Sequence, residues 1–173
     1  ICMKIAYVTI NVAPKIMLGG VGAKIKRHIS IWKDMCHQVR LFSLTPETIS
    51  FPDSDQFVFA PFLSLPLLKG FSLEYSRSRK LIEVLHAIEA YQPDIIYFRF
   101  GLFTFPLQRI FHIAPVFMEV NSNDVEEYKT RGAFFYWLNR ITREIMFRYS
   151  AGLLPVSQEI AELNTKYNRP TCV

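Results

Sequence analysis

Hydrophobic positions along the 173-residue chain fall into two alternating kinds. Short, β-branched apolar runs end at polar, proline or glycine punctuation. Longer stretches repeat apolar residues every three to four positions. Residues 3–11 are a run of the first kind, suited to a strand buried on both faces of a parallel sheet. A loop follows over 12–20, with Pro14 and Gly19-Gly20. Val21, Ile25, His28, Ile29, Trp32 and Met35 then recur at helical spacing, while Lys24, Lys26, Arg27, Lys33 and Asp34 fall mostly on the other side. The pattern predicts an amphipathic helix ending near Cys36-His37, and residues 38–44 predict the next strand. That completes a βαβ unit.

The stretch 45–70 reads as irregular, with four prolines and one short strand candidate at 57–60. A second helix is predicted over 73–91, carrying Leu81, Ile82, Leu85 and Ile88, and Gln92-Pro93-Asp94 stops it. Residues 95–98 predict a strand, 104–113 a short helix, 115–120 a strand and 121–130 a polar, acidic loop. Residues 132–150 predict a helix with Phe134, Trp137, Leu138, Ile141 and Ile145 turned inward. A strand at 152–155 leads to a helix over 157–166, with Ser157 as its N-cap. Residues 171–173 read as a further strand that has only begun. The whole predicts one α/β domain over 1–173, a doubly wound parallel sheet of Rossmann-like type. Ligands on such sheets bind beyond the carboxyl ends of the strands. That rule selects the loops 12–20, 99–103 and 121–130 and the turn into Ser157.

Composition narrows the partners. Half the residues are hydrophobic and a fifth are charged, enough for a large core, which excludes disorder as the main state. A net charge of +5 fits an anionic partner: a nucleotide, a phosphorylated lipid, a membrane surface or a nucleic acid. Nucleic acid is set aside, because the basic residues are scattered and the aromatics occupy core spacing. The most apolar stretch, 95–118, is broken by Arg99, Gln108, Arg109 and His112, so no span is predicted. Peripheral membrane contact is left open: Phe134, Phe135, Tyr136 and Trp137 with Arg140, Arg143 and Arg148 could lie on a bilayer, though inward spacing accounts for most of the apolar set. Three widely spaced cysteines, Cys2, Cys36 and Cys172, form no C-x-x-C pair or zinc spacing, and read as reduced thiols of a cytoplasmic protein. Ile1 and Cys2, ahead of Met3, read as upstream residues, with no signal peptide before the first strand.

Several segments carry candidate chemistry. Gly19-Gly20-Val21-Gly22 opens the first helix, where free amides and the helix dipole favour an anion. It is not a dinucleotide fingerprint, since the loop is long and the second strand ends without an acidic residue. A plain flexible turn would use the same glycines. Lys24 and Lys15 stand near this loop, with Arg99, Arg131 and Arg140 elsewhere. Arg99 ends a strand inside an apolar run and needs an anionic partner, which a structural ion pair or a ligand would equally supply. Glu119, Asn121, Asn123, Asp124, Glu126 and Glu127 offer the carboxylates and carboxamides that partner sugar hydroxyls, and a solvated acidic loop would look the same. His28 reads as a packed core histidine, and His37, His86 and His112 show no ligand spacing.

Taken in order, Gly19-Gly20-Val21-Gly22, Ile25, His28, Met35-Cys36-His37-Gln38-Val39, Gln92-Pro93-Asp94-Ile95, Pro115 to Asn121 and Ala151 to Ser157 resemble the N-terminal half of retaining, family-four glycosyltransferases of the GT-B fold. The resemblance implies transfer of a sugar from a nucleotide-sugar donor, a co-substrate, to a glycan, lipid-linked or small-molecule acceptor. It implies no metal or other cofactor. Gly19, Gly20, Val21, Gly22 and Lys24 would lie at the diphosphate; Arg99, Glu119, Asn121, Asn123 and Ser157 would face the acceptor. No catalytic residue is expected in this half, and a C-terminal domain would supply the nucleotide pocket. The chain departs from the pattern in Cys36, where a glycine is usual, and in Asn121, where many members have histidine; a subset has Glu and Asn as at Glu119 and Asn121. Alternatives are a non-catalytic α/β binding module and half of a nucleotide-sugar epimerase.

Overall fold

The computed structural model describes residues 2–10, 19–48, 54–60, 66–101, 103–130, 132–167 and 169–172. Six strands lie in one parallel sheet: β1 (Lys4–Ile10), β2 (Gln38–Thr45), β3 (Ser54–Val58), β4 (Ile95–Arg99), β5 (Val116–Val120) and β6 (Gly152–Pro155). Their spatial order is β3-β2-β1-β4-β5-β6, which reverses direction between β1 and β4. The helices are α1 (Gly20–Asp34), α2 (Pro66–Tyr91), α3 (Asp124–Thr130), α4 (Ala133–Tyr149) and α5 (Gln158–Glu162). Doubly wound architecture is thus as the apolar pattern predicts.

Register explains the two cores. Leu41, Tyr7 and Tyr97 share one row across the sheet, and Phe42, Val8, Phe98 and Met118 share the next. Side chains of successive rows point to opposite faces. The first face packs on α1 through Ile25 and Ile29, with Ile5, Val39 and Leu41. The second is the larger core, gathering Leu81, Val84, Leu85 and Ile88 of α2 and Met146 and Phe147 of α4. Beside β6, Thr171 forms a parallel bridge with Leu153, so the short run after Arg169 does begin to extend the sheet.

Four expectations need correction. The third strand is Ser54–Val58, not 57–60. It is an edge strand of half-buried residues, where Ser54, Asp55 and Gln56 are tolerated and Arg40 pairs with Asp55 at 2.8 Å. The second helix begins at Pro66, not 73; proline suits a first helical position because its missing N–H has no partner there. The loop over 121–130 contains α3. The sequence signal was Asn123 three residues before Glu126: the Asn123 Oδ1 accepts from the Glu126 amide, and Asp124, Glu126 and Glu127 favour the positive end of the helix.

The fourth correction turns α4 over. Trp137, Ile141 and Ile145, expected inward, are 62%, 42% and 39% exposed, and Leu138 is half-buried. The buried face instead carries Asn139, Thr142, Arg143, Met146 and Phe147. The side chain of Phe134 lies outside the described residues. We expect Phe147→Ala to cost about 3–5 kcal/mol in urea denaturation. Trp137→Gln should stay within about 0.5 kcal/mol. The turn after α1 gives a second expectation. Cys36 has φ of 66°, the left-handed region that penalises a side chain by about 1–2 kcal/mol. Cys36→Gly should raise the unfolding midpoint.

Candidate functional site

The most constrained group in the domain is a carboxylate. Glu119, on β5, is 1% exposed, in register with Arg99 of β4, which is itself in register with Thr9 of β1. Its Oε1 accepts from Arg99 Nη1 and from Lys24 Nζ, each at 2.7 Å. Its Oε2 accepts from the Tyr7 hydroxyl at 3.2 Å, and the Tyr97 phenol helps to hold the carboxyl in its charged form. Burial on its own pushes this carboxyl up. The Lys24 hydrogen bond and the charges of Arg99 and Lys24 outweigh burial and hold it below the usual carboxylate range. The phenols of Tyr7 and Tyr97 are pushed the other way, first by burial and then by the Glu119 charge, so they remain donors.

Lys24 is supplied by the second turn of α1 and is about a third exposed; Arg99 is 15% exposed. Lys24 Nζ also lies 3.4 Å from the Asn121 Oδ1. Among the described residues the buried Nδ2 of Asn121 finds no acceptor. His28 sits half-buried among Tyr7, Trp32 and Tyr97, with ring centroids 5.7–6.3 Å away. Burial lowers its pKa, which leaves it neutral near pH 7, as a packed histidine should be.

Beyond the strand ends, a cleft of about 230 Å³ is lined by Ile10, Arg99, Gly101, Asn121, Asp124 and Tyr128. It stands at the carboxyl ends of β1, β4 and β5, beside the point where the strand order reverses, the position expected for a ligand on this sheet. Asp124 is held from behind by Arg143, whose Nε lies 3.0 and 2.9 Å from its two oxygens, and by the Asn139 amide at 2.9 Å. Arg143 also donates to the Tyr167 hydroxyl at 2.8 Å and the Asn164 Oδ1 at 2.5 Å, and its guanidinium stacks 4.3 Å from the Phe147 ring.

The structure gathers some of the sequence-selected residues and separates others. Lys24, Arg99, Glu119 and Asn121 form one connected group. Gly19 is the N-cap of α1 in an extended conformation, and Gly20, Val21 and Gly22 form its first turn. Asn123 and Ser157 do not line the cleft. Each caps a helix, Ser157 accepting from the Ile160 amide at 3.4 Å. Glu119, expected to face an acceptor, is enclosed by its four partners and acts by holding Lys24 and Arg99. Residues 11–18, including Lys15, and Arg131 lie outside the described residues. Sequence reading missed Tyr7 and Tyr97, which look like core aromatics, and gave Asp124 no role of its own. Among the described residues no three of His, Cys, Asp and Glu come together as a metal site, and no helix is long and apolar enough to cross a membrane.

The sheet order and the cleft beside its point of reversal define a Rossmann-like α/β domain. Its fold is similar to sucrose-phosphate synthase from Thermosynechococcus elongatus, with a TM-score of 0.63 over 98% of this chain and 47% of that one, at 13% identity. A UGT transferase from Siraitia grosvenorii in complex with UDP aligns over 95% of this chain and 46% of its own at 7% identity, with a TM-score of 0.45, too loose to carry weight. The chain thus spans about half the length of these structures. No protein-family model and no curated protein matches the sequence.

Removing the Glu119 charge would leave Lys24 and Arg99 facing each other, so Glu119→Gln should destabilise the domain by about 3 kcal/mol. The wild-type contribution has a defined pH window. The folded carboxyl binds its proton less readily than the unfolded one, so the contribution is complete above about pH 4.5 and disappears as pH falls through the lowered folded value. Urea titrations at a series of pH values should show a steeper acid decline for the wild type than for Glu119→Gln.

Proposed function

We propose that the chain is the N-terminal, acceptor-side domain of a glycosyltransferase that moves a sugar from a nucleotide diphosphate donor to an acceptor, with retention at the anomeric carbon. The observation that carries this reading is the Lys24–Glu119–Arg99 group at the ligand-facing edge of the sheet. Two cations against one carboxylate leave a positive charge in excess. That excess lies close to the start of α1, where the amides of Gly20, Val21 and Gly22 also favour an anion. A diphosphate leaving group needs such stabilisation. Arg99 and Asn121, in the cleft, suit hydroxyls of a sugar acceptor. Asn121 positions and does not titrate. Asn123 and Ser157 would contribute only at the acceptor rim, through loops they cap. The nucleotide pocket and the catalytic groups are assigned to a C-terminal domain, with no metal required.

Isothermal titration of the full-length protein against a panel of nucleotide sugars tests the reading. One donor should bind and turn over, and Lys24→Met should weaken it about tenfold, the usual cost of a charged hydrogen bond. The 173-residue chain alone should transfer nothing. Full-length protein that binds no nucleotide sugar would point to a non-catalytic binding module, and interconversion of donor epimers without transfer would point to an epimerase.

The outward stripe of α4, Trp137, Ile141, Ile145 and Tyr149, flanked by Arg140 and Arg148, supports peripheral contact with an anionic membrane and hence a lipid-linked acceptor. Co-sedimentation with phosphatidylserine vesicles should fall on Trp137→Glu; equal recovery of both proteins would favour a soluble acceptor.

A further inference from the structure

We propose that Cys2 and Cys36 form a reversible disulfide that clamps the start of β1 to the turn between α1 and β2. Parallel register pairs Lys4 with Gln38, and Cys2 and Cys36 each stand two residues before that pair on their own segment. The backbone keeps that alignment, since the Gln38 amide donates to the Met3 carbonyl at 2.8 Å and the Met3 amide to His37 Nδ1 at 3.2 Å. The Cys2 thiol donates to the Cys36 carbonyl oxygen at 2.6 Å. A sulfur touching that backbone lies within a rotamer change of the Cys36 side chain. A disulfide bridges Cα atoms about 4.4–6.8 Å apart, and the hydrogen bonds at Met3 hold the two segments in direct contact.

Both cysteines are exposed, so a soluble oxidant reaches them. Cys36 occupies a left-handed turn position that disfavours any side chain, yet the chain carries a thiol there, on the residue whose carbonyl oxygen the Cys2 thiol touches. The pair lies at the amino-terminal edge of the sheet, opposite the cleft, so the bond would leave the proposed ligand site unobstructed. It would close the loop that runs through β1 and α1, the element that delivers Lys24.

With glutathione disulfide as oxidant, one protein thiolate attacks its S–S bond, giving a mixed disulfide and one glutathione thiolate. The second protein thiolate then attacks the protein-borne sulfur, forming the Cys2–Cys36 bond and expelling a second glutathione thiolate. Both thiol protons pass to the released glutathione, so two protein thiols are oxidised and one glutathione disulfide is reduced.

The test uses Cys172→Ser, because the third exposed cysteine would otherwise cross-link molecules. After equilibration with glutathione disulfide, peptide mass mapping should show Cys2 joined to Cys36 within one chain. Adding Cys2→Ser should convert Cys36 to a glutathione adduct. The linked form should melt roughly 5–10 °C higher than the reduced form, a shift absent with Cys2→Ser. Two glutathione adducts per chain, bonds only between chains, or two free thiols would overturn the pairing. A linked chain with unchanged Tm would overturn the clamp.

Discussion

A carboxylate in the middle of a sheet edge has to be compensated, and the way Glu119 is compensated sets much of the domain's upper surface. Its burial alone would favour the protonated acid. Two cations and two phenols reverse that preference. The partners come from separate parts of the chain: Lys24 from α1, Arg99 from β4, Tyr7 from β1 and Tyr97 from β4. One side chain therefore fixes how α1 docks on the first sheet face and which way two cations point. Replacing the whole group by apolar residues could be neutral for stability, whereas removing one member strands the others. The arrangement is therefore better understood as specifying geometry than as adding free energy.

A second buried charge has a comparable effect on the other side of the cleft. Asp124 sits at the start of a short helix and is buried, so it needs a cation, and Arg143 of α4 supplies one. Bringing Arg143 inward also brings Asn139, Thr142, Met146 and Phe147 inward, since they share its face. Trp137, Ile141 and Ile145 are then forced outward. The apolar stripe that results is a consequence of satisfying one carboxylate, and it leaves a large hydrophobic face in contact with whatever surrounds the domain.

That conflict marks what could be read from the chain. Strands β1, β2, β4, β5 and β6 were legible because each is a short apolar run between clear stops, and with the helices between them they dictate a doubly wound sheet. The cation–carboxylate–amide residues at strand ends were legible as types: Arg99 was expected to need an anion, and Glu119 is that anion. The pairing itself was not, because it depends on register across β1, β4 and β5, which no local pattern encodes. The orientation of α4 was misread because periodicity counts apolar residues and gives no weight to a buried aspartate elsewhere in the sequence. Asn123 and Ser157 were legible as polar loop residues, but their side chains are spent on helix amides, and only Ser157 had been recognised as a cap.

The charge balance of the cleft also limits what this domain does alone. Glu119 takes much of the field of both Lys24 and Arg99, and Arg143 is spent on Asp124. The one cation in excess within the Lys24–Glu119–Arg99 group is partly exposed and so partly screened, and Glu127, which also lines the cleft, offsets it further. A single screened charge and the amides of one helix start orient an anion. They do not neutralise the charge that builds on a departing diphosphate, for which several converging donors in a closed, water-poor site are needed. On the proposed reading, the remaining donors must approach from the open side of the cleft, and closure of a second domain over that side would both supply them and remove the water that weakens Lys24. On that reading the domain's share would be to hold an acceptor and one cation in fixed relation; the enclosed Glu119 already fixes the place of Lys24.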